Sequence, residues 1–317
     1  MKFKLFAITG AMALGISSAL AAPMAQADVT QENEVTQTKA TETVNVQEYW
    51  TAEKMKSATP ASKSLDPAQK TTKSPKPNVG KRVAVQGKSG LAAPSADQER
   101  PRKAVGKIFF TMQGRNYVCS GNSVASNNDS VVSTAGHCLN EGPGAFVTNF
   151  VFVPAYENGA APYGKWAAKT LMAPTSWKNS GDFNNDVGFA VMRPDSQGRQ
   201  LADVVGSTGI EFNSARGQQV VSYGYPADPP FNGELLYSCS DTAARDSVDP
   251  SKAGQGILCD MTGGSSGGPW MLNNGNQTSV NSFGYKYETP KRMYGPYFGD
   301  VAQQVYQAAS SASASDA

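Results

Sequence analysis

Histidine is almost absent from this chain of 317 residues, since His137 is the only one. A metal site built from several histidines is therefore excluded, and four cysteines without C-x-x-C spacing do not suggest a zinc cluster. Charged residues make up only 17% of the chain, the net charge is +2, and no long run of lysine or arginine occurs. Because such a chain offers no phosphate-neutralising surface, nucleic acid is not expected as a partner.

Branched and aromatic apolar residues are scarce between positions 28 and 103. Val, Leu, Ile and Phe fill 9 of these 76 positions, about 12%, which is below the roughly 20% at which a chain struggles to build its own core. Residues 1–103 carry 15 basic and 9 acidic residues, whereas residues 104–317 carry 13 and 17. We expect residues 28–103 to be a disordered propeptide, with a plain linker as the alternative. Its basic residues would lie on the acidic domain, and Glu48–Trp50 is its only aromatic anchor.

The chain begins with a basic stretch, Met1–Lys4, followed by an apolar run from Leu5 to about Ala22. Small residues at 19–21 and 25–27 match A-x-A cleavage sites, so the pattern predicts a secretory signal peptide over residues 1–27. The apolar run is rich in Gly, Ala and Ser and makes a poor membrane anchor. We therefore predict a secreted, extracellular product without membrane association once the signal is removed.

From Lys107 onward, short β-type runs alternate with Gly, Asn and Pro. The predicted strands are Ile108–Thr111, Tyr117–Cys119, Ser130–Ser133, Asn149–Val153, Val187–Met192 and Gln219–Tyr223. Only Tyr297–Ala308 reads as a helix, before a low-complexity tail at 309–317 that is expected to fray. Regularly spaced strands without intervening helices predict an all-β barrel or sandwich over residues 104–308, long enough for two small barrels.

The four cysteines fall into two local groups, Cys119 with Cys138 and Cys239 with Cys259, separated by 19 and 20 positions. In an exported chain an even count indicates disulfides. Three connectivities are open; we expect the two sequence-local pairs, each worth roughly 3 kcal/mol through restriction of the unfolded chain. A catalytic Cys138 served by His137 is excluded, because adjacent side chains on a strand or turn point apart.

Three short segments carry the chemistry: Ser133–Cys138 (S-T-A-G-H-C), Asn184–Val191 (N-N-D-V-G-F-A-V) and Gly263–Trp270 (G-G-S-S-G-G-P-W). A serine hydroxyl is a weak nucleophile that needs an adjacent base, and the base needs a third group to fix its tautomer. Glycines around the serine let backbone N–H groups converge on a developing oxyanion. The order His, Asp, Ser therefore indicates nucleophilic catalysis.

T-A-G-H-C, N-D-V-G-F-A-V and G-S-S-G-G-P resemble the three signatures of the chymotrypsin-like (trypsin-fold) serine proteases, and the resemblance spans about residues 107–308. It implies two six-stranded antiparallel β-barrels with a C-terminal helix and an active site between the barrels. His137 would be the general base, Asp186 its buried partner and Ser266 the nucleophile. The backbone N–H groups of Gly264 and Ser266 would form the oxyanion hole.

The same resemblance implies that the disulfide Cys119–Cys138 brackets the histidine. It also implies that the strand formed by Ser282, Phe283 and Gly284 pairs with the substrate backbone and forms a wall of the specificity pocket.

Two positions have rivals within the motifs. Asp182 is the alternative acid, but it follows Ser-Gly in a loop, whereas Asp186 opens an apolar strand. Ser265 is the alternative nucleophile, but the S-G-G-P register selects Ser266. Animal digestive members carry an aspartate at the position of Ser265 to capture a new N-terminal amine, so that mode of activation is not expected here. Inhibition by a segment that covers the cleft is expected instead.

Asp260 lies six positions before Ser266, where trypsin-like members carry the aspartate that binds Lys or Arg. Cys259 does not match the family's pocket cysteine, so a surface or turn role for Asp260 stays open. The overall layout resembles the glutamyl-endopeptidase branch, but that branch uses a second histidine that this chain lacks. The balance favours cleavage after Lys or Arg.

The sequence thus predicts a secreted serine endopeptidase that acts on proteins or peptides as a monomer, without cofactor or metal; calcium at a carboxylate-bearing loop is left open. A catalytically silent protease-fold module for binding or adhesion is the alternative. An esterase on an α/β-hydrolase fold would need strand–helix alternation and the order Ser, Asp, His, and the sequence has neither.

Overall fold

The computed structural model describes residues 34–42, 45–66, 79–88 and 102–315. The predicted signal peptide, residues 1–27, lies outside this part of the chain. The strands are β1 (Val35–Lys39), β2 (Thr59–Pro60), β3 (Ser64–Leu65), β4 (Val83–Val85), β5 (Val105–Met112), β6 (Arg115–Val124), β7 (Val131–Thr134), β8 (Thr148–Pro154), β9 (Trp166–Pro174), β10 (Gly188–Met192), β11 (Gly209–Phe212), β12 (Gln219–Gly224), β13 (Tyr237–Thr242), β14 (Ala244–Arg245), β15 (Gln255–Leu258), β16 (Pro269–Leu272), β17 (Asn276–Val280), β18 (Gly284–Tyr285) and β19 (Arg292–Gly295). The helices are α1 (Val46–Tyr49), α2 (Ala52–Ser57), α3 (Thr175–Ser180), α4 (Leu201–Val205) and α5 (Asp300–Ser311), with 3-10 turns at Gly136–Cys138 and Phe183–Asn185.

Six strands close into a barrel in the order β9, β10, β7, β6, β5 and β8, and β8 pairs back to β9. Each neighbouring pair is antiparallel. Ile108, Phe152, Leu171 and Phe189 are fully buried in its interior. The predicted strands all overlap observed ones, because runs of β-branched and aromatic residues between turn signals fit a closed, half-buried sheet.

The second β lobe consists of two sheets. One has the strand order β13, β12, β16, β17, β11 and β4, and the other has the order β14, β15 and β19. Trp270 of the larger sheet packs in one core with Ile257 and Met293 of the smaller sheet. The predicted all-β class is confirmed, with a closed six-stranded barrel and a helix near the C-terminus.

The C-terminal helix α5 begins at Asp300 and ends at Ser311, three residues later than predicted at each end. Tyr306 contacts the rings of Phe189 and Phe212 and donates a 2.6 Å hydrogen bond to the carbonyl of Ala125. The first residues of the predicted tail are therefore packed: Ser310 and Ala314 are buried. Within the described ranges, no helix is long and apolar enough to cross a membrane.

The expectation of disorder fails for residues 34–42, 45–66 and 79–88, which form two short helices and four strands. Strand β1 pairs antiparallel with β9, and β4 pairs antiparallel with β11. Trp50 is fully buried, donates a 2.7 Å hydrogen bond to the carbonyl of Asn149 and packs 5.4 Å from the Phe109 ring. These residues are too polar to form a core of their own, but they are ordered against the core that the barrel supplies.

Candidate active site

The 3-10 turn after β7 and the 3-10 turn before β10 bring His137 and Asp186 together. The backbone N–H of His137 donates to Asp186 Oδ1 at 2.8 Å, and His137 Nδ1 lies 2.8 Å from Asp186 Oδ2. Both side chains are buried. Two contacts to one carboxylate fix the orientation of the imidazole ring and leave its second nitrogen, Nε2, outside the contact with Asp186.

The Asp186 carboxylate is stabilised in its ionised form. Burial raises its pKa, but the charge of His137 and hydrogen bonds from His137 and Ser282 outweigh burial, so the pKa lies below its ordinary value. Ser282 Oγ donates to Asp186 Oδ2 at 2.5 Å. An ionised carboxylate in this position is the group that stabilises an imidazolium when the ring accepts a proton.

The backbone around Ser266 requires glycine. Gly264 has φ +94° and Gly267 has φ +81°, both in the left-handed region. A Cβ at Gly267 would collide with the side chain of Thr134 and with the backbone of Ser120. The loop that carries Ser266 is thus packed against the end of β7, which leads directly to His137.

Ser266 Oγ donates a 3.1 Å hydrogen bond to the carbonyl oxygen of Ala61, and the N–H of Gly264 donates to the same oxygen at 3.1 Å. His137 Nε2 is buried and has no hydrogen-bond partner. The serine hydroxyl therefore points to the backbone of Ala61 and not to the imidazole of His137.

The rival residues have other roles. Asp182 caps the 3-10 turn, since its carboxylate accepts hydrogen bonds from the N–H and Nδ2 of Asn184 and from Nδ2 of Asn185. Ser265 Oγ is turned inward and donates a 2.7 Å hydrogen bond to the carbonyl of Thr262. The two contacts to His137 come instead from the Asp186 carboxylate.

Four residues predicted to bind substrate line one cavity of about 330 Å³ that also reaches Ser266: Asp260, Ser282, Phe283 and Gly284. Asp260 is exposed at the cavity wall. Lys291 and Arg292 line the same cavity, so its charge is mixed.

Both sequence-local disulfides are formed, Cys119–Cys138 and Cys239–Cys259. The first ties β6 to the turn that carries His137. Since both thiols are consumed, neither cysteine beside His137 is available as a nucleophile or metal ligand.

Sequence reasoning missed Asn281, which lies just before the predicted substrate strand and is fully buried. Its Nδ2 donates to the carbonyls of Ser265 and Tyr223 at 3.0 Å each. Its Oδ1 accepts from Ser222 Oγ at 2.6 Å and from Trp270 Nε1 at 2.7 Å. Asn281 thereby fixes the loop that carries Ser266, and nothing in the single sequence distinguishes it from a polar strand end.

Ser120 was missed for the same reason. Its Oγ donates to the carbonyl of Gly264 at 2.9 Å and accepts from the N–H of Tyr225, while its N–H donates to the carbonyl of Ser266 at 2.7 Å. Through Ser120, strand β6 of the barrel holds the Ser266 loop of the second lobe.

No family model and no curated protein matches the chain, but solved structures do. The protease Anisep from Arthrobacter nicotinovorans is 60% identical, with a TM-score of 0.66 over 68% of this chain and 99% of that chain. A thermostable serine protease, AL20, from an extremophilic microorganism is 49% identical, with a TM-score of 0.62 over 66% of this chain and 97% of that chain. A Glu endopeptidase at 18% identity, a TM-score of 0.53 and a coverage of 71% of this chain and 97% of that chain shares the fold.

The barrel, the second β lobe and the cleft with serine, histidine and aspartate define the class as a serine-type peptidase. The chain belongs to the bacterial serine proteases of the chymotrypsin-like, trypsin-type fold, and its substrates are proteins or peptides.

Proposed function

We propose that the protein is a secreted serine endopeptidase in which Ser266, His137 and Asp186 form the catalytic triad. The observation that carries the proposal is the buried His137–Asp186 pair beside the glycine-flanked Ser266. The two disulfides support secretion, because disulfides persist in oxidising compartments.

In the proposed mechanism Ser266 Oγ attacks the scissile carbonyl carbon and its proton passes to His137 Nε2. Asp186 holds the other ring nitrogen and stabilises the imidazolium. The N–H groups of Gly264 and Ser266 receive the oxyanion, and removal of one such donor costs about 3–4 kcal/mol in other proteases. The imidazolium then protonates the leaving amine, and water attacks the acyl-enzyme by the same route.

For specificity we propose cleavage after Lys or Arg, with Asp260 as the anion that pairs with the substrate side chain. The position of its carboxylate in the cavity beside Ser266 supports this. Lys63, Lys291 and Arg292 line the same cavity and oppose it, whereas Asp228 adds a second carboxylate there.

We further propose that residues 28–103 are a propeptide that covers the cleft before maturation. The contact of Ala61 with Ser266 and Gly264 supports this. The relative from Arthrobacter nicotinovorans is covered almost completely by 68% of this chain. That share is about 216 residues, which equals the length of residues 102–317. A protease of this type therefore needs no more residues than remain after the proposed propeptide.

The proposal is tested by a cleavage profile on a mixed peptide library, with and without a serine-directed phosphonate, after the purified full chain has matured by loss of residues 28–103. The matched control is the full chain with Ser266→Ala. Phosphonate-sensitive cuts after Lys or Arg are expected. Phosphonate-sensitive cuts elsewhere would retain the triad and discard Asp260, whereas no cuts after complete maturation would support the silent binding module.

A further inference from the structure

The cleft is occupied by backbone of this chain, residues 59–65, which we call the cleft segment. On one side of Ser266, Thr59 and Pro60 pair with Tyr117 and Val118 of β6. On the other side, Ser64 and Leu65 pair with β18 at Gly284 and Tyr285. The segment therefore crosses the whole proposed substrate groove, with Ala61 at its centre.

The direction of the segment follows from its pairing. Ser282 contacts Asp186, so the strand from Ser282 to Tyr285 starts at the triad and runs away from it. The acyl half of a substrate is the part that precedes the scissile bond, and its last residue lies at the triad. When this half lies on the strand, it runs toward the triad and is therefore antiparallel to the strand. The cleft segment pairs in parallel, with Ser64 opposite Gly284 and Leu65 opposite Tyr285.

The reversed direction puts the wrong chain half on each side of Ser266. The carbonyl oxygen of Ala61 lies on Gly264, where an oxyanion would be held, but the residues that follow Ala61 occupy the acyl half of the groove. The amide nitrogen of Ser62 thus points to the acyl side and not to the side from which a leaving amine departs. Ser266 Oγ meanwhile donates to the Ala61 oxygen and His137 Nε2 has no partner.

Side chains as well as backbone hold the segment. Leu65 packs against the aromatic cluster of Phe283, Tyr285 and Tyr294. The carbonyls of Lys63 and Leu65 accept from the N–H groups of Gly284 and Lys286 at 3.2 and 2.9 Å. The segment thereby takes the backbone hydrogen bonds that an added substrate strand would use.

From these contacts we propose that residues 59–65 are a built-in peptide inhibitor that binds the groove in reverse polarity and so escapes cleavage by the site it blocks. The inference rests on the proposed triad function. It adds that the groove binds a peptide in the direction opposite to that of a substrate. A small residue, Ala61, lies at the oxyanion position, and Leu65 packs on the aromatic cluster.

Occlusion is tested by the rate at which a fluorescent phosphonate labels Ser266 in the full chain. Leu65→Asp adds a charge against the aromatic cluster, and Ala61→Pro removes the N–H that donates to Val118 at 2.9 Å. Both variants are expected to label about tenfold faster or more, because the rate follows the fraction of open clefts. Lys56→Asp, on an exposed position of α2, is the matched control and should label like the wild type.

Wild-type labelling as fast as that of both variants would overturn the inference and leave the protease function standing. No labelling of any protein, Leu65→Asp and Ala61→Pro included, would overturn the proposed function and the inference together.

Polarity is tested by disulfide cross-linking of the full chain with Ser266→Ala, which prevents self-digestion. Paired residues of a sheet lie about 5 Å apart, within disulfide reach. Reverse binding predicts cross-links for Thr59→Cys with Tyr117→Cys and for Leu65→Cys with Tyr285→Cys. Cross-links instead in the exchanged pairs, Thr59→Cys with Tyr285→Cys and Leu65→Cys with Tyr117→Cys, would overturn it. Mass spectrometry of the linked peptides reads the result.

Discussion

The N-terminal segment, residues 34–88 as far as they are described, and the C-terminal body, residues 102–315, are ordered for different reasons. The body has a closed barrel, a second lobe and two disulfides, and large side chains such as Trp177 and Trp270 are fully buried within it. The segment contributes one buried tryptophan, Trp50, and a few smaller side chains to a core whose other members belong to the body.

The difference shows what composition measures. A low apolar content predicts that a stretch cannot build a core alone. It does not predict disorder when the same chain offers sheet edges and a cleft, because backbone hydrogen bonds can be made by any sequence. Four short strands of the segment do this on β9, β6, β18 and β11.

The largest expected effect comes from Ser266→Ala in the Leu65→Asp variant, in which the cleft segment is expected to leave the cleft open. Peptide turnover should fall by roughly 10⁶-fold, because the attacking oxygen is lost. The circular dichroism spectrum and the thermal unfolding midpoint should stay unchanged. Ser265→Ala is the matched control, since it removes only a hydrogen bond to Thr262; an equal loss there would contradict the assignment of Ser266.

Trp50→Ala is expected to detach the segment while the body remains folded. Truncation of a fully buried tryptophan costs about 3–5 kcal/mol, and here the loss falls on docking. Hydrogen exchange should accelerate at the amides of β1 and stay slow at those of β10. Tyr49→Phe, which removes only the 2.9 Å hydrogen bond to Asn116, is the control. Equal acceleration in β10 would show that the two regions unfold as one.

The role of Asp260 in substrate specificity is tested by Asp260→Asn, since this residue lines the cavity that reaches Ser266. If Asp260 pairs with the substrate, kcat/KM for peptides cut after Lys or Arg should fall by about 10- to 100-fold, the worth of a charge-assisted hydrogen bond. Lys291→Met, in the same cavity, should change these values in the opposite direction. Unchanged selectivity in both variants would remove Asp260 from the pocket.

The smallest expected effect is acid release of β4. Hydrogen bonds from Arg82 and neighbouring side chains lower the pKa of Glu211 from 4.5 to about 2. A lowered carboxyl pKa means that the contribution is complete above pH 4.5 and is lost as the pH falls toward 2. Because Arg82 is 60% exposed, solvent screens this pair, and we expect only a small effect on the docking of β4. Proteolysis near residues 83–85 should increase over that pH range.

Arg82→Gln is the control for acid release. It should already be susceptible at neutral pH and show a weaker pH dependence. A pH dependence as strong as that of the wild type would assign the effect to another group.

Much of the body was predictable from local signals. The β-type runs of β5, β8, β10 and β12 carry enough apolar residues to identify strands without any tertiary information. The resemblance placed the residues of the motifs in order, and the structure brings His137 and Asp186 into contact. The N-terminal segment was not predictable in this way, since Ala61, Ser64 and Leu65 carry no motif. Their order depends on partners more than 50 positions away along the chain.

The pairing of β4 with β11 also bears on solubility after maturation. If the proposed maturation removes β4, Gly209–Phe212 becomes the edge of its sheet, and bare edges promote pairing between molecules and aggregation. Glu211 sits inside this edge and is held by Ser214 and Asn276 as well as by Arg82. Without Arg82 it leaves an uncompensated negative charge on the strand. Such a charge opposes intermolecular sheet formation, so one glutamate that binds the segment also protects the edge that the segment uncovers.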